Sequence, residues 1–439
     1  MRFKSVLLSG ACACSILLCG CSANFSGDNL LHPPKTTGNE AQIQKLIDQT
    51  AKGSYMLKYP QSGQYRSAIV TADITGDKKD EAIAFYRTEG NEPATHMLIM
   101  YDSGKQWKIS YDYSTTHSDV DCVKLADYDY DGIPEIFVGF KAQPSGVNEL
   151  AIFDVSEDGK KITKVDFSTT YSAFTTGDYD QDAGSEILTL SLGSTEAQAT
   201  ATLIDYDKNQ LYTLSTCSMD GSVTKYENVI SGLLDERTMG VVVDGLSDNA
   251  YNTQVLYYNS DKKKLVNFPY TTSKKSNPTT RTYRINSDDI DDNGFVDIPV
   301  ISDLNADVST DEETVAPIIN WSTLNLKSHS LEEGIHCVTN FEYGYYFNLP
   351  SNFIGTTVSA LSKDNRELKI YGLNGKEKGA LVMTLKVFDV GTSSDEMLSY
   401  STLESYNQYT YTYKIEDNAP IYIDSNTLTK NFALSNFSA

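Results

Sequence analysis

This sequence is poor in cysteine, histidine and tryptophan, and its basic side chains are far outnumbered by acidic ones. Its 439 residues include 7 cysteines, 5 histidines and 2 tryptophans, with 36 basic against 59 acidic residues and a formal charge of −23. So acidic a surface repels phosphate groups, and nucleic acid is therefore not an expected partner. Cys122, Cys217 and Cys337 lack the close spacing of a disulfide scaffold or zinc site, and we interpret them as small buried apolar residues.

Long apolar runs are missing outside the first twenty residues. Residues 6–18 form a run of 13 that follows Arg2 and Lys4 and leads into Leu18-Cys19-Gly20-Cys21. The run is too short for a membrane span, which needs roughly 20 residues, and the pattern predicts a signal peptide over 1–20. It resembles the lipobox of bacterial lipoproteins, which implies lipidation at Cys21 and an extracytoplasmic, membrane-anchored protein. A plain secretory signal is the alternative.

The rest of the chain divides into three predicted parts. Residues 21–40, rich in small and polar residues, are interpreted as a flexible tether, and 41–51 as a short amphipathic helix. Between 55 and 320, short runs of β-branched and aromatic residues alternate with turn residues, which indicates strands. The acidic pattern ends near 321, so we predict one β domain over 41–321 and a small α+β domain over 322–439, with a helix over 394–406.

Five segments repeat one pattern of apolar strand, acidic loop and apolar strand. They begin at Asp73, Asp127, Asp178, Gly232 and Asp289, at intervals of 51 to 57 residues. A unit of this length holding four short strands is the size of a propeller blade, which must stack on its neighbours. The repeat therefore predicts a mainly β fold, a closed five-bladed β-propeller, as opposed to an unrelated series of hairpins in a sandwich.

Four of the five loops place oxygen-bearing side chains at positions 1, 3, 5 and 9. The candidate metal ligands are Asp73, Thr75, Asp77 and Glu81; Asp127, Asp129, Asp131 and Glu135; Asp178, Asp180, Asp182 and Glu186; and Asp289, Asp291, Asn293 and Asp297. The loop from Gly232 has Leu234 and Gly240 where ligands would stand, and it is predicted to bind no metal.

This spacing suits calcium, which takes six to eight oxygen ligands from alternate residues of a tight loop. An EF-hand needs its last acid at position 12 between helices, whereas here the last acid is at position 9 between apolar strands. We expect three to four structural Ca²⁺ ions. At tenfold excess over its dissociation constant, each ion would contribute about 1.4 kcal/mol of stability.

The loops resemble the calcium loops of FG-GAP and VCBS repeats, the family that includes the integrin α-subunit propeller. Loops two and five carry its Asp-x-Asp-x-Asp/Asn-Gly motif, and the likeness covers about 65–300. In the first loop Gly76 is displaced, and in the third Gly184 comes one place late. The resemblance implies a calcium-stabilised propeller.

Catalytic motifs are missing: there is no Gly-x-Ser-x-Gly, no His-Glu-x-x-His and no phosphate-binding glycine loop. We therefore expect a surface-displayed module that binds a protein or a glycan, with no catalytic residues assigned. The alternative is a carbohydrate-active enzyme, a polysaccharide lyase or hydrolase that uses the propeller as scaffold. A purely architectural spacer is a third possibility. Fold analogy alone does not choose among them.

Overall fold

The computed structural model describes residues 38–90, 94–141, 147–270, 277–302, 310–375 and 377–435. The predicted signal peptide, Cys21 and most of the predicted tether lie outside these residues. None of the helices in the described part is long and apolar enough to cross a membrane.

The described chain opens with helix α1 (Asn39–Ala51), in agreement with the predicted helix. Ile43 and Ile47, four residues apart on one face, are buried against a sheet, and the helix ends at Lys52 in the left-handed conformation. The apolar stripe thus fixes which side of α1 meets the protein.

The chain is mainly β, and its described strands form six antiparallel sheets. In the first sheet, β1 and β2 lie end to end along β3. Its strands are β1 (Tyr55–Lys58), β2 (Ile69–Ala72), β3 (Glu81–Thr88), β4 (Thr95–Asp102) and β5 (Trp107–Thr115). In the second sheet, β9 and β10 share one edge of β8. Its strands are β6 (Asp119–Ala126), β7 (Glu135–Lys141), β8 (Asn148–Val155), β9 (Ile162–Lys164) and β10 (Thr169–Tyr171).

The third and fourth sheets are four-stranded meanders, in which each strand pairs with the next along the chain. Their strands are β11 (Ala173–Gly177), β12 (Glu186–Ser191), β13 (Thr200–Asp207) and β14 (Gln210–Ser218), then β15 (Lys225–Leu233), β16 (Met239–Ser247), β17 (Ala250–Asn259) and β18 (Lys264–Asn267). The first strands of neighbouring sheets lie side by side, because β11 contacts both β6 and β15.

Two further sheets interleave along the last third of the chain. The fifth has the order β19 (Ile298–Ile301), β21 (Ile318–Asn325), β22 (Ser330–Asn340), β23 (Tyr345–Asn348) and β29 (Phe432–Leu434). The sixth has the order β20 (Glu313–Val315), β24 (Thr357–Ser362), β25 (Glu367–Asn374), β26 (Glu377–Asp389), β28 (Tyr409–Ile415) and β27 (Ser401–Tyr406). Helices α2 (Ser394–Met397) and α3 (Ser425–Asn431) complete the described elements. The predicted boundary at 321/322 lies inside β21.

Alternate residues of the second strands face different neighbouring sheets, because successive side chains of a strand point to opposite sides. In β7, Ile136 and Val138 pack toward the first sheet and Phe137 toward the third. In β12, Ile187 packs toward the second sheet and Leu188 toward the fourth. Continuous apolar runs in these strands therefore mark sheets that are covered on both faces.

The core follows a line of sheets from α1 to the sixth sheet. Apolar clusters join the first sheet to the second, the second to the third, the third to the fourth, the fourth to the fifth and the fifth to the sixth. None of the clusters of described residues joins the first sheet to the fifth, because α1 covers the other face of the first sheet. The closed ring of the prediction is not formed by these contacts.

The predicted helix over 394–406 is wrong for most of its length. Its first four residues form the single turn of α2, and its last six form β27. Tyr406 pairs with Tyr409 across a turn in which Asn407 has a φ of 54°. Strand pairing with β28 overrides the helical start that Asp395 and Glu396 favour.

Candidate metal centres

Each of the four acidic loops leads into a strand, and three of them join two adjacent antiparallel strands: β2 to β3, β6 to β7 and β11 to β12. We name them loop 1 (73–81), loop 2 (127–135), loop 3 (178–186) and loop 5 (289–297) and number their positions from 1 to 9. Loop 5 lacks a regular first strand, and a bridge between Asp288 and Asp297 closes it. Loop 4 is a shorter turn (234–238) in which Asp235 accepts hydrogen bonds from Arg237 N and Thr238 N.

Two hydrogen bonds recur in all four acidic loops. The carboxylate at position 1 accepts from the amide at position 6, with distances of 2.7 Å for Lys78 to Asp73, 3.0 Å for Gly132 to Asp127, 3.2 Å for Ala183 to Asp178 and 2.7 Å for Gly294 to Asp289. The carboxylate at position 9 accepts from the amide at position 2, at 3.2 Å in loop 1, 3.0 Å in loop 2, 2.7 Å in loop 3 and 3.2 Å in loop 5. The two end acids thus shape the loop.

Positions 4 and 6 have a positive φ in every one of these loops. At position 6 they include Gly132 and Gly294 but also Lys78 at 67° and Ala183 at 83°. A residue with a side chain adopts this region at a cost of roughly 1–2 kcal/mol. The displaced glycines of loops 1 and 3 therefore do not change the loop conformation, since other residues adopt it at the same positions.

Carboxylate oxygens converge in three of the loops. In each of them one carboxylate oxygen from every member lies within 4.8 Å of the others. The clusters are Asp127, Asp129 and Glu135 in loop 2; all four predicted acids, Asp178, Asp180, Asp182 and Glu186, in loop 3; and Asp289, Asp291 and Asp297 in loop 5. Asp131 lies outside the loop 2 cluster, and its carboxylate accepts from Ile133 N at 2.8 Å. The Asn293 side chain likewise accepts from Phe295 N at 2.8 Å.

Loop 1 has the same backbone but no such cluster among its described residues. Lys79 lies 2.8 Å from the Asp77 carboxylate, and this hydrogen bond lowers the pKa of Asp77. Thr75 donates its hydroxyl to Glu81 at 3.4 Å. Position 5 is thus paired with a lysine, and position 3 offers a hydroxyl where loops 2 and 3 offer a carboxylate.

In loops 2 and 3 the acid at position 9 is buried, and one of its two oxygens has no hydrogen-bond partner. Glu135 is 0% exposed and Glu186 is 1% exposed, and in each the Oε1 atom has no hydrogen-bond partner. Burial, followed by the neighbouring loop carboxylates, raises the pKa of each to about 8. In loop 3 the Oδ1 atom of Asp180 is also buried without a partner, and burial raises its pKa to about 6.

These observations fit a hard divalent cation. The converging donors are all oxygen, and buried oxygens without partners are expensive unless a positive charge or a proton satisfies them. The acids and their neighbours would hold the ion, which would neutralise the repulsion among carboxylates. Calcium, whose flexible geometry takes six to eight oxygen ligands, suits such a set of carboxylates.

Sequence reasoning missed two acids near these centres. Asp205 on β13 follows Ile204, the partner of Ile187, so it stands beside Glu186. Its carboxylate accepts from Tyr212 OH and Tyr206 N, each at 2.6 Å. Asp154 occupies the same place in the second sheet, 51 residues earlier, which is also the interval between loops 2 and 3. That shared offset was the available signal.

Successive loops touch one another along one edge of the sheets. Tyr130 of loop 2 lies over Gly184 of loop 3, where a Cβ would overlap its ring, and burial and a hydrogen bond to Asp182 raise the pKa of Tyr130. The Gln181 side chain donates to the Arg237 carbonyl, and Val296 N donates to the Leu233 carbonyl. Gly76 faces the Gly132 carbonyl, which a Cβ at that position would contact. The candidate centres therefore form one row.

No protein-family model and no curated protein matches this chain. Solved structures similar to it include the exotype rhamnogalacturonan lyase YesX, at 10% identity and a TM-score of 0.34, with 70% of this chain and 64% of that one covered. The chain thus spans less than two thirds of that lyase. A Bacillus licheniformis rhamnogalacturonan lyase gives 11% identity and 0.34, covering 68% and 67%.

An exo-β-1,3-galactanase from Phanerochaete chrysosporium gives 10% identity and a TM-score of 0.29, covering 80% of this chain and 82% of that one. Likenesses at this level assign neither a fold family nor an activity to this chain.

Proposed function

We propose that this chain is an extracytoplasmic, calcium-binding lipoprotein that a lipid on Cys21 anchors to a bacterial membrane. Its propeller-type fold would present a rigid surface to a protein or glycan ligand. The observation that supports the cation is the set of three acid clusters, two of which hold buried oxygens without a partner, at Glu135, Glu186 and Asp180. In this proposal the first five sheets are the blades of the propeller. The side-by-side contacts of β6, β11 and β15 support it.

Calcium has a structural role in this proposal. Without a cation, each cluster brings three or four carboxylates within a few ångströms, and their repulsion opposes the fold. At tenfold excess over the dissociation constant, three sites would together contribute about 4 kcal/mol, a large fraction of a domain's net stability. Because the loops join strands and touch one another, this stabilisation reaches every sheet that carries a site.

The test is calorimetric titration of calcium into the chelator-stripped full chain, with thermal melts. We expect three ions at loops 2, 3 and 5, and a rise in melting temperature. Asp180→Asn with Glu186→Gln should remove one ion. The matched control is Asp158→Asn, an exposed acid in a turn, paired with Lys160 at 2.8 Å, which should leave the count unchanged. No heat and no thermal shift would sink the metal assignment.

The anchor is tested separately by replacing Cys21 with serine. We expect the protein to move from the membrane fraction to the soluble fraction while its calcium titration stays the same. Retention in the membrane fraction would contradict lipidation at Cys21 without touching the metal centres.

A further inference from the structure

A cavity of about 510 Å³ opens where the first strands of the second, third and fourth sheets meet. Its walls come from β6, β11 and β15 and from the chain at Ser62 and Gly63. The residues that decide its chemistry are Asp121, Lys124, Phe174, Tyr226, Glu227 and Asn228. The volume lies within the range of small-molecule sites, and several sheets converge on it. It shares no residue with the acid clusters.

Lys124 is the one positive group of this wall that the described residues leave without a carboxylate. Its amino group donates to Thr175 Oγ1 at 3.3 Å and lies 5.8 Å from the centre of the Phe174 ring. Burial lowers the pKa of Lys124. A partly desolvated ammonium gains more from a carboxylate than an exposed one does, because the surrounding dielectric is low.

The other charges of the cavity are already paired. Glu227 lies 2.7 Å from Lys225 and 2.9 Å from Arg284. Asp121 lies 4.0 Å from Lys141 and accepts from Tyr171 OH at 2.8 Å. A ligand with two or more negative charges would be repelled by these acids. Their remaining lone pairs instead suit ligand hydroxyl groups.

Phe174 and Tyr226 add aromatic surface to this polar wall. Phe174 is buried and Tyr226 is half-buried, with its hydroxyl held by the Ser191 carbonyl at 3.2 Å. Rings held in place can pack against the C–H face of a pyranose at a low entropic cost. One cation, several hydroxyl acceptors and an apolar face together describe a monoanionic sugar.

We propose that this cavity binds a sugar acid, with the ligand carboxylate on Lys124 and its hydroxyls toward Asp121 and Glu227. This names the ligand class of the binding module proposed above and rests on that function, but it does not depend on the metal centres. The recognised unit is a uronic acid residue, free or at the end of a glycan.

Saturation-transfer NMR with the full chain in calcium tests this site. The probes are D-galacturonic acid and D-glucuronic acid, with D-galactose and D-glucose as their neutral counterparts. We expect transfer to at least one acid and binding about 10- to 100-fold weaker for its neutral counterpart, the range of one charge-assisted hydrogen bond. Lys124→Met should weaken the acid to the level of the neutral sugar.

The matched control is Lys164→Met, which removes a lysine of the second sheet that also lies over an aromatic ring, Tyr113, at 5.4 Å and is outside the cavity wall. It should leave acid binding unchanged. No transfer to either acid, equal affinity for acid and neutral sugars, or equal loss in the two variants would overturn the proposal. Calcium titration of the same samples separates this failure from failure of the metal centres.

Discussion

Loops 1 and 3 have the same backbone but differ in what they can bind. Both place a positive φ at positions 4 and 6, and in both the acids at positions 1 and 9 accept the same backbone amides. Loop 3 gathers four carboxylates, whereas in loop 1 Lys79 holds the acid at position 5. The hairpin and the metal centre are thus separable properties: end acids make the turn, and positions 3, 5 and 7 decide whether a cation fits.

The largest effect is expected where a loop lacks the strand that supports loops 1 and 3. The approach to loop 5 is held by Asp244, which accepts from Ser287 N at 2.7 Å and pairs with Arg281 at 2.8 Å, both side chains being 0% exposed. Arg281→Met leaves that acid buried and unpaired, which should cost about 3–5 kcal/mol in urea unfolding. It should also weaken the loop 5 ion.

The control for this change is Arg284→Met, three residues after Arg281. It breaks the ion pair between Arg284, which is half-exposed, and Glu227. Arg284 is half-exposed and Glu227 keeps a second partner, Lys225, at 2.7 Å, so the loss of this pair should cost about 0–1 kcal/mol. Equal losses for the two arginines would show that Asp244 does not anchor loop 5.

The next effect concerns the contact between loops 2 and 3. A Cβ added at Gly184 would overlap the Tyr130 ring, so Gly184→Ala should displace that ring and destabilise the protein by about 1–3 kcal/mol. Gly53→Ala is the control, because open space surrounds Gly53. If the Tyr130 ring couples loop 2 to loop 3, Gly184→Ala should also lower the calcium affinity of both sites. Loss at neither site would make the contact mere packing.

A smaller effect is the pH dependence of stability that the acid at position 9 of loop 3 should cause. Burial raises the pKa of Glu186 to about 8, while an unfolded glutamate titrates near 4.3. Between these values the folded protein binds more protons than the unfolded chain, so without calcium its stability should fall as pH rises from about 5 to 8. Calcium needs the ionised carboxylates, so its affinity should rise over the same window.

Glu186→Gln sharpens that measurement. In chelator it should make the decline with pH less steep, while Glu135 still contributes to it. In calcium it should remove about 1.4 kcal/mol of stability at tenfold excess. Glu81→Gln, the same position in loop 1, should leave the calcium-dependent stabilisation unchanged. Thermal melts at pH 5, 6.5 and 8, with and without calcium, decide the matter, and an unchanged calcium effect in Glu186→Gln would contradict a site in loop 3.

The loops could be predicted from sequence because their chemistry is local. Alternate acids in a tight turn face one centre, so spacing alone located the clusters of loops 2, 3 and 5. The Asp77–Lys79 pair was missed, although both residues lie inside the motif, because the pattern counts possible ligands and does not consider a lysine that pairs with one of them. Asp205 was missed because it reaches loop 3 through strand pairing, which depends on register.

Non-local contacts account for the other differences. The repeats implied a closed ring, in which a further sheet would cover the free face of the first sheet. Instead Ile43 and Ile47 of α1 pack against that face. The domain boundary was set by the loss of acidic loops, a surface property, while the strand pairing of β21 runs across it. A change in composition along the chain thus located the end of the acidic surface but not the end of a sheet.

The smallest expected effect would convert loop 1 into loop 3. Thr75→Asp supplies the acid at position 3, and Lys79→Ile, the residue type at position 7 of loop 2, frees Asp77. Because the backbone already has the required conformation, the double variant should bind one additional calcium ion, with a gain of about 1 kcal/mol or less at a calcium concentration near the dissociation constant. Lys79→Ile alone serves as the control and should bind more weakly, lacking the second carboxylate. If the double variant titrates with the same number of ions as the parent, positions 3 and 7 are not what distinguishes the two loops, and the separation of turn from metal centre fails.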